Sequence, residues 1–123
     1  MSPSTKNKGG RKVLVLISSN PETSRRPCEG IRIALGLASG GHEVSVVLTN
    51  HAPLLLTNTV EETVDGEMAL KFLTTLCSFN PVFLIDEKNF PELDLSGVHY
   101  MTAPLSTESL SKKIAVTDCF LSF

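Results

Sequence analysis

The chain has 123 residues, of which 41% are hydrophobic and 20% charged, with a formal net charge of −2. That length fits one domain able to bury a core without metal or disulfide staples, and the composition excludes a disordered chain. With no Trp, a single Tyr (Tyr100) and no excess of Lys and Arg, the basic footprint and aromatic platforms of a nucleic-acid binder are missing.

No apolar run reaches the length of a membrane span, and no signal-type apolar segment follows the charged start. The expectation is a cytoplasmic protein with neither membrane nor nucleic acid as partner. Cys28, Cys77 and Cys119 form no CxxC and no disulfide framework, so they read as free thiols. The sequence carries no metal-binding or cofactor-binding motif.

Residues 1–11 are Ser, Lys, Asn and Gly without apolar periodicity and read as a disordered tail, leaving residues 12–123 as one domain. Lys12–Ile17 is a continuous apolar run, the pattern of a strand buried on both faces. A polar loop follows, and Pro27 then stands where a helix begins. Ile31, Ala34, Leu35 and Ala38 follow at helical spacing, and Gly40–Gly41 stops the helix. Glu43–Leu48 is a second strand, so the first fifty residues read strand, helix, strand.

Ala52–Thr57 reads as a short apolar turn or helix, and Asn58–Asp65 as a polar loop. Glu67–Phe79 is a second helix with Ala69, Phe72, Leu73 and Leu76 on one face, closed by Pro81. Val82–Ile85 is a third buried strand. A polar loop containing Pro91 leads to a short strand at Val98–Met101. A helix follows at Ser106–Lys113, and Ala115–Phe123 is the final strand. Five strands alternating with helices specify a three-layer α/β/α fold with a mainly parallel five-stranded sheet.

Open parallel sheets bind ligands beyond the carboxyl ends of their strands. That rule gathers Ser18, Ser19, Asn20, Cys28, Asn50, His51 and Asp86 at one edge. Cys28 lies in the first turn of a helix beside Arg25 and Arg26, where the helix dipole and the two cations favour a thiolate. The expectation is a lowered pKa and a reactive thiol able to hold persulfide sulfur; the plainer reading is a small apolar packing residue. Cys77 and Cys119 read as core, with an interface role open for Cys119.

His51 is a candidate proton donor or acceptor for Cys28, or a polar loop residue. Asp86 caps the next segment or faces the crevice, capping being favoured. Ser18, Ser19, Asn20, Arg25 and Arg26 form a candidate anion site ahead of a helix, although neither GxGxxG nor GxxxxGKS is present and a solvated loop is the plainer reading. His42 lies at the other end of the sheet, and His99 within a strand.

The run PCEGIRIALGLASGGHEVSVVLTNHAPLLL after KVLVLISSNP, together with the closing TDCFLSF, resembles the DsrE/DsrF-like family, small proteins of bacterial and archaeal sulfur metabolism. The resemblance spans Lys12 to Phe123. It implies an α/β/α fold and assembly into trimers or hexamers, with itself or with other DsrE-like subunits, and a sulfur-carrier protein as partner. In family members that transfer sulfur, a Cys just after the third strand takes it up as persulfide. Here that place is at or near Asp86, and no Cys is there. The resemblance therefore implies a sulfur-relay carrier working through Cys28, giving sulfurtransferase-like chemistry, or a non-catalytic subunit. The alternative is a small-ligand or anion-binding module using the loop after the first strand. Leu54, Leu55, Leu56, Phe120, Leu121 and Phe123 exceed what one small core needs, which points to contacts between subunits.

Overall fold

The computed structural model describes residues 10–79, 81–88 and 100–123. Most of the expected tail, the loop with Pro91, and Val98 and His99 of the expected fourth strand lie outside the described residues.

Strands β1 (Lys12–Ile17), β2 (Glu43–Leu48) and β3 (Val82–Asp86) form where the apolar runs stand. Helix α1 (Arg26–Ser39) fills the first crossover and α2 (Gly66–Leu76) the second. Strand β4 (Met101–Leu105), helix α3 (Thr107–Ala115) and strand β5 (Cys119–Ser122) complete the chain. The sheet order is β4-β3-β2-β1-β5, and every neighbouring pair is parallel. This is the expected five-stranded parallel α/β architecture.

Several boundaries differ from the sequence reading. The fourth strand runs through Pro104, because β4 is an edge strand and its outer side requires no N–H donor. Ala115 ends α3 rather than opening the last strand: the Ser106 hydroxyl accepts from the Ser109 N–H and starts the helix, and Thr117 Oγ1 donates to the Lys113 carbonyl at its end. The second helix is α up to Leu76 and tightens into a 3₁₀ turn over Cys77–Phe79.

Right-handed crossovers place α1 and α2 on one face of the sheet and α3, which returns from β4 to β5, on the other. The first face carries the core. Val13, Val15, Ile17, Val46, Leu48, Phe83 and Ile85 pack against Ile31, Ala34, Ala69, Leu73 and Leu76 of the helices. Leu55 and Leu56, on a 3₁₀ segment over Ala52–Leu56, are buried in this same core. They are used within the chain, not left over for a subunit contact.

The second face is covered more thinly. Leu14 and Val47 are fully buried there, yet α3 contributes no fully buried residue. Val82, Met101 and Phe120, which the strand register places on this face, remain exposed.

One glycine is fixed by crowding. Asp65 takes a left-handed conformation (φ 56°) just before α2, and Gly66 then passes so close to the preceding 3₁₀ turn that a Cβ would overlap the Val60 carbonyl oxygen and crowd the Glu61 Cα. Both are backbone atoms and cannot swing away. Gly66→Ala is expected to destabilise the fold by about 1–3 kcal/mol, the range for overpacking, read as a lowered urea midpoint with an unchanged slope.

Candidate functional site

The carboxyl ends of β1, β2 and β3 bring the predicted residues to one edge, but not to one face. Cys28 lies under the first face, buried at 4% exposure as part of the core that includes Ile17 and Ile31. Asp86 follows the parity of Leu84 and lies on the second face. There it lines a small cavity with Val47, Thr49, Ser106, Thr107 and Leu110. The sheet separates the two. His51 is exposed and precedes the Ala52–Leu56 segment. The charged groups acting on Cys28 are Asp65, Glu29, Arg32 and Arg25, with no contribution from His51. The three candidate catalytic residues therefore do not form one constellation.

The expected lowering of the Cys28 pKa is corrected. Burial pushes its thiol above the ordinary value of 9.0, the carboxylates of Asp65 and Glu29 push it further, and Arg32 and Arg25 offset only part of this. The helix start gives a favourable field, but desolvation of a thiolate inside the core outweighs it. Arg25, expected to act on the thiol, points its guanidinium to Asp65 at 3.7 Å. Burial likewise raises Cys77, which is half-buried after α2. Cys119, expected in the core or an interface, is exposed on β5.

The loop after β1 has its polar groups engaged within the chain. The N–H groups of Ser18 and Ser19 donate to the main-chain oxygen of Phe123 at 2.9 and 3.3 Å. The Phe123 N–H donates in turn to the Leu16 carbonyl at 2.8 Å. Asn20 makes a local turn: its side-chain oxygen accepts from the Glu22 N–H, and its carbonyl accepts from Thr23 and Ser24. Arg26 donates to the Ser122 carbonyl at 3.1 Å and lies 5.9 Å above the Phe123 ring centroid. Asn50, left-handed at φ 55°, donates from its side chain to the Ser18 carbonyl.

Gly30 completes this arrangement. A Cβ there would meet Ile17 at 2.9 Å and the Phe123 Cβ at 3.3 Å, so the absent side chain is what lets Phe123 settle on α1. The crevice mouth beyond β1 is thus occupied by the chain's own residues. Sequence reasoning placed Arg26 there as an anion ligand and missed Phe123 and Gly30. The one local signal was a glycine inside a helix, which marks a close approach.

Asp86 takes the capping role favoured for it, accepting the Lys88 N–H at 3.0 Å. His42 sits at the amino end of β2, where its Nδ1 accepts from the Arg11 N–H at 3.1 Å. A cleft of about 380 Å³ opens nearby, between His42, Ser45, Phe79, Leu84 and Lys113. Among the described residues, no cluster of His, Cys, Asp and Glu is arranged to hold a metal ion, and no helix is long and apolar enough to cross a membrane.

No family model matches the chain, and no curated protein matches it. Among solved structures, the crystal structure of the YchN protein from E. coli superposes with a TM-score of 0.74, covering 92% of this chain and 99% of that one. The chain has the DsrE-like fold. The two sequences share 14% identity, so the likeness is one of architecture.

The order of thiol reactivity is expected to follow exposure. Alkylation of the native protein at neutral pH is expected to modify Cys119 first and Cys28 last, with Cys28 protected until unfolding. The pH dependence has a definite sign. A Cys28 thiol held above its unfolded value contributes nothing adverse below pH 9.0 and costs stability above it, because only the unfolded state ionises there. Cys28→Ala is expected to flatten the alkaline fall in stability, measured by urea midpoints on either side of that value.

Proposed function

We propose that this protein of DsrE-like fold is a non-catalytic subunit of an intracellular sulfur-relay assembly, acting by association rather than as a persulfide carrier through Cys28. The observation behind this reading is the state of Cys28. It is buried at 4% exposure with its thiol pushed up, whereas a sulfur carrier needs an accessible thiolate. The place after the third strand, where the resemblance puts the persulfide cysteine, holds Asp86 in a capping turn. The anion-binding alternative is less favoured, because the Ser18 and Ser19 N–H groups already serve Phe123.

Intact-mass analysis of Cys77→Ser/Cys119→Ser after incubation with polysulfide tests the reading. The expected spectrum shows no added sulfur on the folded double variant, with sulfur appearing when the same variant is treated in denaturant. Added sulfur on Cys28 in the folded state would instead establish a carrier.

A further inference from the structure

We infer that the cleft at the amino ends of β2 and β3 is a binding site for a small monocarboxylate with an apolar body. The site lies at the edge of the sheet opposite Cys28. It therefore stands whether or not that thiol carries sulfur.

The cleft follows from unequal strand pairing. Strand β2 pairs with β1 from Glu43 onward, but its pairing with β3 begins at Val46. The start of β2 therefore runs past its β3 neighbour. The space left there is lined by Phe79 from the turn after α2 and by Lys113 from the last turn of α3. It measures about 380 Å³, within the range that holds a small organic molecule. Its apolar walls are not used up by the core: Phe79 and Val82 remain 46% and 41% exposed, and Leu84 is only partly buried. An apolar ligand body laid against them removes that surface from water.

Three polar groups on the same walls are donors with nothing to donate to. The half-buried Lys113 ammonium has no ion pair and no hydrogen bond among the described residues. The Ser45 hydroxyl, also half-buried, has none either. His42 accepts the Arg11 N–H on Nδ1 at 3.1 Å, so a neutral ring carries its proton on Nε2, a further donor that no described residue takes. Unpartnered donors beside an exposed apolar wall suit a molecule with an acceptor at one end and a hydrocarbon body at the other.

Charge decides the class of acceptor. The Glu43 carboxylate is exposed on the rim and opposes a second negative charge. One ammonium against one carboxylate leaves room for a single anionic group, which favours a carboxylate over a dianionic phosphate. Ser45, Val82 and Leu84 share the second face by strand alternation, the face on which α3 carries Lys113. The ligand carboxylate accepts from Lys113 and Ser45 as charge-assisted hydrogen bonds, and its apolar body lies along Val82, Leu84 and Phe79.

The test is a titration of the isotope-labelled full chain with phenylacetate, followed by the NMR shifts of its amides. Shifts at Ser45, Val82 and Lys113 are expected to move together and saturate with a Kd of about 1 mM or tighter, the range for a ligand of this size. Those at Ser18 and Ser19 should stay put. Phenethyl alcohol lacks the charge and inorganic phosphate lacks the apolar body, so each should bind at least about tenfold more weakly. Lys113→Gln should weaken phenylacetate binding about tenfold. Lys112→Gln, exposed on the same turn and outside the cleft, should leave it unchanged. The absence of a saturable shift, equal binding of the alcohol or of phosphate, or a folded Lys113→Gln that binds no worse than Lys112→Gln would each overturn the proposal.

Discussion

The carboxyl edge of this sheet depends on where Phe123 ends up. Its main-chain oxygen takes the Ser18 and Ser19 N–H groups, its own N–H takes the Leu16 carbonyl, and its side chain settles against Gly30 beneath Arg26. The link from Phe123 to Ser18 joins residues 105 positions apart and helps to fix β5 beside β1. In many parallel sheets the space beyond the first strand receives a ligand. Here the chain fills it with its own backbone and an aromatic ring, and Arg26 becomes a clamp on β5.

The remaining chemistry follows from which face each residue occupies. Cys28 and Asp86 reach the same edge, but β3 and its neighbours stand between them. Cys28 lies in the first-face core, where a charge is costly, and Asp86 lies beside the start of α3, where it closes a turn. A nucleophile and a base on opposite faces of a close-packed sheet do not cooperate. A fold can be shared with proteins of other activities for this reason, since the activity belongs to the side chains that one face brings together.

Much of this fold is legible in the sequence. Strands buried on both faces read as unbroken apolar runs, which is why Lys12–Ile17, Glu43–Leu48 and the start of β3 stand out. Gly40–Gly41 and Pro81 mark the ends of the intervening helices. The last third is harder, because Ile114, Ala115 and Val116 suit a helix end as well as a strand start, and the Ser106 cap decides between them. The edge of the site follows from topology alone, but its faces do not. The depth of Cys28 is set by packing of α1 against α2 and the sheet, and Asp65 adds to the rise of its pKa; neither leaves a mark near residue 28. The contact of Phe123 with Ser18 is likewise invisible to any local pattern.

The most direct measurement is amide hydrogen exchange at Ser18 and Ser19, followed by NMR with and without phosphate or sulfide. If Phe123 occupies the loop, both amides exchange slowly in the free protein and their shifts stay put when the anions are added. Fast exchange at both amides, with shifts that move on titration, would mean that the crevice is open and that the loop serves a ligand instead.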